Sequence, residues 1–330
     1  MSLEVVLAGP TDYFFDPAAA AIKAGGHSVV RYRSVADFAA TPDALASASV
    51  LYAVGFCPVT RAQMERAPHL RAVISTWTGT EGFDERAATG LGIVVGNGQI
   101  PENTESMAEA TILMILACIY DLNGAQQRFR DKNWNQADLT GRMLKGKTIG
   151  ILGYGGIARA ITHRLAPWGV NFCATTRHPP ADPSVVRFLP LEEMLAASDV
   201  VCVLAPRTEE TLGLLSAQRL ALMKPGAILI CTSRGGIIDE DALLSLAAKG
   251  HFGAVGLDVF AQEPLPSESP LYGLKNAVMT PHRVGLTQEA RAKLIETGIA
   301  NVLRVLDGRP PLYVRNPEIL DRWRAKWGGA

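Results

Sequence analysis

The chain of 330 residues has no surplus of charge of either sign, because 32 Lys and Arg balance 32 Asp and Glu. A net charge of zero argues against a broad nucleic-acid or anionic-membrane surface. Long hydrophobic runs are scarce as well. The longest, ATILMILACIY at residues 110–120, falls well short of the ~20 residues a membrane span needs, and it predicts a buried helix. The five cysteines (57, 118, 173, 202 and 231) are odd in number, scattered, set among apolar or small residues and never paired as CxxC. They read as small core residues of a protein in a reducing, cytoplasmic compartment. No His/Cys cluster is present, so no metal site is expected. The opening MSLEVVLAGP lacks a basic segment and reads as a first β-strand rather than a signal peptide. Low-complexity tracts and matching internal repeats are missing too.

What is present is core material: 48% of the residues are hydrophobic and 19% charged, and the length suits two domains. Strand-like runs alternate with helix-like runs nearly throughout, which predicts an α/β fold with parallel sheets. Early strands are expected at Glu4–Ala8, Ser28–Tyr32, Val50–Val54, Arg71–Ser75 and Ile93–Val95, with helices such as Asp16–Ala24 and Thr60–Ala67 between them. After GNGQIPENTES (96–106) comes the apolar helix, then a polar stretch from Asn123 to Leu144 containing Trp134. A fresh series follows: Thr148–Leu152, Val170–Ala174, Asp199–Leu204, Ala227–Cys231, Ala254–Leu257 and Ala277–Met279. The helix Gln288–Leu306 leads to a short segment and the aromatic, basic tail LDRWRAKWGGA.

Chemistry enters at KTIGILGYGGIARAITHRL (147–165), a buried strand, then Gly153-x-Gly155-x-x-Ala158, then a helix. Gly153 permits a tight turn, Gly155 lets the backbone approach a pyrophosphate, and Ala158 lets the helix pack close to the strand. Gly156 and Ile157 open that helix, whose N-terminal N–H groups and dipole favour phosphate. Glycine-rich turns also join strands to helices for structural reasons alone; the strand before and the helix after favour a dinucleotide site here. The next strand, VNFCAT, ends where NAD-binding folds place an acid against the ribose 2′-hydroxyl. This chain has Thr175, Thr176, Arg177 and His178 there. Hydroxyls with a guanidinium would accept a 2′-phosphate that a carboxylate would repel. The expected cofactor is therefore NADP, with NAD possible, and the bland alternative is that Arg177 is a solvated turn residue.

Three later stretches narrow the reaction. ILICTSRGGIIDEDAL (228–243) ends a strand with Arg234 before two glycines. AVGLDVFAQEPLP (254–266) carries Asp258 and then Glu263, and AVMTPHRVGLTQE (277–289) carries His282. An Arg, a carboxylate and a His, each just past the carboxyl end of a strand, lie where open α/β sheets bind ligands.

On these residues the chain resembles the D-isomer-specific 2-hydroxyacid dehydrogenases, the group of glyoxylate/hydroxypyruvate reductases, D-lactate dehydrogenases and phosphoglycerate dehydrogenases. The resemblance runs roughly from Val50 to Asn316, through NTESMAE (103–109), the glycine turn, PRTEET (206–211), MKPGAILICTSRGGIIDE, GLDVFAQEPLP and the TPH segment, in family order. It implies two Rossmann-like doubly wound parallel-sheet domains. The NAD(P)-binding domain (101–286) would be inserted into a flavodoxin-like substrate domain formed by 1–100 and 287–330. It also implies an oxidoreductase interconverting a small 2-oxoacid and its D-2-hydroxyacid. Arg234 would bind the substrate carboxylate and polarise its carbonyl. His282 would be the general acid/base, and Glu263 would hold its imidazole and favour its charged form. Asp258 matches the residue that contacts the nicotinamide carboxamide. Thr104, Ala205, Pro206, Thr232, Ser233 and Gly285 match positions lining the cofactor. Trp77, Thr78 and Gly79, in ISTWTGTEGFD, match the loop that holds the substrate carboxylate. Members usually pair as homodimers through the nucleotide domain, and the helix 105–120 with the arm 123–146 suits that interface.

The chain departs from the family at three places. Trp77 stands where a small residue is usual, and Val54 where phosphoglycerate-type members carry a phosphate-binding Arg. Arg283-Val284 follows His282 where an apolar and then a small residue are common. The first two argue against a phosphorylated substrate. Rival readings are a phosphoglycerate-type enzyme, a formate-dehydrogenase-like enzyme, which would have Gln in place of Glu263, and a cofactor-sensing corepressor that binds peptides. The closing WRAKW fits either an interaction tail or a packed helix.

Overall fold

The computed structural model describes residues 2–135, 141–181 and 185–328. The chain divides into two compact units, the first comprising Met1–Glu102 with Thr287–Ala330 and the second Asn103–Leu286.

In the first unit, β1 (Glu4–Ala8), β2 (Ser28–Tyr32), β3 (Ala48–Ala53), β4 (Ala72–Ser75) and β5 (Val94–Gly96) form a parallel sheet in the order β2-β1-β3-β4-β5. This is the flavodoxin-like doubly wound order. β3 and β4 are buried along their whole length, Ser49 and Ser75 included, as strands covered by helices on both faces are. The helix Asp12–Ala24 begins ahead of the expected Asp16 and takes Pro17 inside it. Phe14, Phe15, Ala18 and Ile22 form its buried face. The helix Gln288–Leu306, capped by Thr287 Oγ1 accepting from Ala290 N at 3.2 Å, packs back on β3 and β4. Gly298 is required there because a Cβ would collide with the Tyr52 hydroxyl.

The last segment is a packed element rather than a tail. Val314 bridges Gly96 in antiparallel fashion, and Asn316 accepts from Val95 N at 2.8 Å while donating to Ile93 O at 3.0 Å. These bonds close the exposed edge of β5. The helix Leu320–Trp327 then buries Trp323, whose indole N–H donates to Arg71 O at 2.8 Å.

In the second unit, β6 (Thr148–Leu152), β7 (Asn171–Thr175), β8 (Val186–Phe188), β9 (Val200–Val203), β10 (Ala227–Cys231), β11 (Phe252–Leu257) and β12 (Ala277–Met279) are likewise parallel. Their order is β12-β11-β10-β9-β6-β7-β8, so the direction of winding reverses between β6 and β9. That is the Rossmann arrangement with one strand added, and the reversal is the switch point where such folds bind dinucleotides. β8 was not expected: it is three residues long, at the sheet edge, and broken by exposed Arg187. The apolar helix spans Pro101–Ile119 and starts before the expected residue 105, since Pro101 presets the first-turn φ and needs no N–H partner. A second helix, Leu122–Arg130, occupies the start of the polar stretch. Asp121 caps it by accepting from Gly124 N at 3.1 Å, and Arg128 pairs with Asp121 at 3.2 Å. Residues 136–140 of the expected dimer arm lie outside the described residues. No single helix among those described is long and apolar enough to cross a membrane.

Candidate active site

The glycine turn has the form its residues require. Gly153 has φ +92°, and a Cβ there would stand 2.7 Å from the backbone of Ala205 at the end of β9. Only glycine tolerates both the left-handed conformation and that approach. Gly155 is the N-cap of the helix Gly156–Leu165, and no side chain caps it among the described residues. A Cβ on Gly155 would meet nothing within 4 Å. Uncapped first-turn N–H groups facing open space form a cradle that fits a pyrophosphate. Thr104 lies beside it, its Cγ2 3.3 Å from a Cβ built on Gly156. At the end of β7, Thr175 Oγ1 is spent on Leu189 O at 2.8 Å, while Thr176 is half-buried and Arg177 exposed. Arg177 Nη1 lies 2.9 Å from Glu210 Oε2, a partner that sequence reading did not anticipate.

The unit's β10, β11 and β12 end in the expected triad. His282 Nδ1 is 2.7 Å from Glu263 Oε2. An ionised carboxylate can only accept, so Nδ1 carries the hydrogen of this bond and Nε2 is left to exchange a proton. Burial pushes the Glu263 carboxyl up, but bonds from His282 and Phe260 N, with the charges of His282 and Arg234, bring it below its ordinary value. Arg234 donates to Ser233 O at 2.7 Å and lies close enough to act on Glu263 through its charge. Gly235 makes this proximity possible, because a Cβ there would collide with Phe260 O. Glu240 fastens the same loop from another side, accepting from Ala261 N at 2.6 Å, and burial together with the charges of Asp241 and Glu263 raises its carboxyl.

His282 itself sits in the left-handed region at φ +54°. A non-glycine residue held there costs of order 1 kcal/mol and persists only where its surroundings dictate it. Asp258 supplies those surroundings. Its Oδ1 accepts from Thr280 Oγ1 at 2.6 Å, Arg283 N at 2.9 Å and Val284 N at 3.1 Å, and its backbone O accepts from His282 N at 2.8 Å. Asp258 is only 2% exposed, and desolvation raises its carboxyl against those bonds. Arg283 and Val284, departures in side-chain type, thus serve through their backbone. Nearby, Gly285 O accepts from Ser106 Oγ at 2.5 Å, and Thr232 Oγ1 shares a 2.9 Å bond with Thr111 Oγ1. Ala205 is buried, Pro206 O accepts from Thr211 Oγ1 at 2.8 Å, and Ser233 Oγ lies 3.9 Å from Cys231 Sγ.

In the first unit, the loop after β4 is tied to itself. Ser75 Oγ donates to Gly79 O at 2.6 Å, Thr78 Oγ1 donates to Gly98 O at 3.2 Å, and Asn97 Nδ2 donates to Thr78 O at 2.8 Å. The Trp77 ring meets buried Phe14 edge-on with centroids 4.9 Å apart. Val54 is 1% exposed and packs over Gly9, so an apolar side chain fills that position.

The winding reversal, the uncapped helix start and the His–Glu pair define a dinucleotide-dependent α/β oxidoreductase. A family model for the D-isomer specific 2-hydroxyacid dehydrogenase NAD binding domain matches residues 112–283. Glyoxylate reductase of Thermofilum pendens is 36% identical over 267 residues, covering 78% of each protein. D-3-phosphoglycerate dehydrogenase of Mycobacterium bovis is 35% identical over 242 residues, which are 72% of this chain and 45% of that longer relative. The crystal structure of the NADPH-dependent glyoxylate/hydroxypyruvate reductase of Sinorhizobium meliloti, with NADP and malonate, aligns with a TM-score of 0.84 at 27% identity. That alignment covers 95% of this chain and 97% of that one. The chain belongs to the D-isomer specific 2-hydroxyacid dehydrogenase family of NAD(P)-dependent oxidoreductases.

Asp258→Ala should leave the N–H groups of Arg283 and Val284 without their acceptor, cost about 2–4 kcal/mol of stability, and lower kcat/KM by roughly a hundredfold or more. Asp258→Asn keeps an acceptor oxygen and should lose clearly less in both denaturant titration and steady-state kinetics. Equal losses would show that the charge, and not the turn it holds, is what matters.

Proposed function

We propose that the enzyme reduces a small, non-phosphorylated 2-oxoacid to its D-2-hydroxyacid with NADPH, using His282 as general acid and, in the reverse direction, as base. The observation that carries this reading is the 2.7 Å contact of His282 Nδ1 with Glu263 Oε2 beside Arg234, at the strand ends of a dinucleotide-binding unit. The nicotinamide, when bound, supplies or takes the hydride. The residues supply placement and charge. Arg234 neutralises the substrate carboxylate and polarises the carbonyl. His282 Nε2 gives its proton to the developing alkoxide, and Glu263 favours the imidazolium that must be present beforehand. The backbone of Thr78 and Gly79 in the first unit, with Trp77 alongside, is assigned to the substrate carboxylate. Gly153, Gly155, Gly156, Ile157 and Thr104 are assigned to the pyrophosphate. Ala205, Pro206, Thr232, Ser233 and Gly285 are assigned to the rest of the dinucleotide. Asp258 Oδ1 is committed to the His282 turn, which leaves Oδ2 for the carboxamide. Thr176 and Arg177, in place of an acid, support NADPH over NADH. Cysteines that are all free and buried fit a cytoplasmic, reducing compartment.

The chain is further proposed to pair into a homodimer. Leu113, Tyr120, Leu122, Phe129, Trp134 and Met143, all in the second unit, are each at least 44% exposed. Phe129 and Trp134 are stacked edge-to-face at 6.2 Å. Large apolar side chains left exposed along the helix Pro101–Ile119 and the segment after it suit an interface, and a second copy is the proposed partner because the family pairs through this unit. Light scattering should give the mass of two chains, and Phe129→Asp with Trp134→Asp should shift it toward one. A monomeric unmodified protein would remove this proposal.

The catalytic roles are tested by pH–rate profiles in both directions. His282→Ala should lose two to four orders of magnitude either way, the usual worth of a general acid–base. The lowered Glu263 carboxyl remains ionised down through the ordinary carboxylate range, so its support of His282 persists at neutral pH and is lost only as pH falls through that depressed value. Glu263→Gln should therefore keep the fold while moving the basic limb of the reduction profile to lower pH. An unmoved limb would remove the role given to Glu263.

Substrate choice follows from buried Val54, which stands where phosphoglycerate-type members carry a phosphate-binding Arg, and from Trp77, which stands where a small residue is usual. In a panel of oxoacids with NADPH, glyoxylate, hydroxypyruvate or a small apolar oxoacid should exceed phosphohydroxypyruvate in kcat/KM. A phosphorylated winner would favour the phosphoglycerate-type alternative instead.

A further inference from the structure

Arg177 meets a carboxylate that its own strand does not carry. Glu210 lies on the loop after β9, and this loop is stapled by its threonines. Thr208 N donates to Thr211 Oγ1 at 2.7 Å, Thr211 N to Thr208 Oγ1 at 3.3 Å, and Thr211 Oγ1 to Pro206 O at 2.8 Å. In the order β9-β6-β7, Arg177 and Glu210 follow strands on opposite flanks of β6. Their 2.9 Å ion pair therefore spans the end of β6, where the glycine turn begins. A dinucleotide laid across this switch point places its adenosine ribose toward the end of β7.

We propose that Glu210 supplies, from the β9 loop, the ribose-binding carboxylate that β7 lacks, and that it sets cofactor selectivity by competing with a 2′-phosphate for Arg177. The inference rests on the assignment of Arg177 to that phosphate. A carboxylate here accepts from the ribose hydroxyls of NAD and can do so without releasing the guanidinium, whose five N–H donors serve more than one acceptor. A 2′-phosphate needs the fork of Arg177 for itself and must sit beside an anion unless Glu210 turns away. The two side chains are 67% and 71% exposed, so the pair adds little to the stability of the fold, and removing it acts on binding. The site accepts both dinucleotides, with Arg177 favouring one and Glu210 holding that preference down.

The test is calorimetric binding of NADP+, NAD+, 2′,5′-ADP and 5′-AMP to the full chain, unmodified and as Glu210→Gln and Arg177→Gln. Glu210→Gln should tighten NADP+ and 2′,5′-ADP by about three- to tenfold, the effect of removing one near charge in a watery site, while weakening NAD+ and 5′-AMP. Its Tm should not move. Arg177→Gln should weaken NADP+ and 2′,5′-ADP by about tenfold or more. If Arg177→Gln leaves the phosphorylated ligands unaffected, the NADP reading itself fails. If Arg177→Gln weakens them but Glu210→Gln leaves the NADP+ to NAD+ ratio unchanged, the reading stands and the role of Glu210 is overturned. A Glu210→Gln variant that melts earlier and binds both dinucleotides equally worse would make Glu210 a loop staple, which overturns it too.

Discussion

A histidine held with positive φ is the constraint on which the second unit's chemistry depends. The conformation is unfavourable for any side chain with a Cβ, and it is kept because Asp258, at the end of β11, gives one oxygen to three donors of the following turn. The arrangement aims the imidazole at Glu263, which is itself fixed by Phe260 N, on a loop that Glu240 fastens and that Gly235 allows to approach Arg234. Each group occupies its place because a neighbour on another strand end forces it there. A carboxylate buried at 2% exposure is costly unless it is fully used, and here its bonds go to the segment that carries His282.

The cofactor end of the unit follows the opposite logic. Around His282 side chains crowd and clamp; around the glycine turn they are withdrawn. Gly153 lets β6 turn within contact of Ala205, and Gly155 leaves open space before an uncapped helix. In the proposed reading, backbone donors in fixed positions would meet the anion, and the polar side chains at the ends of β7 and β9 would discriminate between cofactors. His282 and Glu263 lie in partly exposed turns just past strand ends, and Arg177 and Glu210 on more exposed loops, where a substitution costs the fold little.

Much of this architecture is legible in residue order. A strand buried on both faces, such as β10, announces itself as an unbroken apolar run, and β1, β2, β6, β10 and β12 all lie at their expected bounds. The elements missed are those whose signal is short or polar. β8 has three residues with a charge in the middle, and the helix Leu122–Arg130 has no buried residue to mark a face. The helix Leu320–Trp327 is equally hard to distinguish from a tail until Trp323 is seen to cover Arg71. Within the site, the glycines, Arg234, Glu263 and His282 stand out because each follows a recognisable strand. Glu210 and Glu240 do not, since a carboxylate on an irregular loop or in a first helical turn has a bland explanation that local pattern cannot displace.

By itself, then, the sequence determined the alternation of strand and helix, the glycine turn, and which side chains could carry a proton or meet a carboxylate. All of these follow from local rules: the twofold period of a strand, the freedom of a glycine, the chemistry of an imidazole. Only tertiary structure decided which of them meet. The distance from His282 to Glu263, the three donors gathered on Asp258 and the pairing of Arg177 with Glu210 each join segments 19 to 33 residues apart. Strand order, not spacing along the chain, sets which loop ends are neighbours, and that order comes from burying all the apolar faces at once.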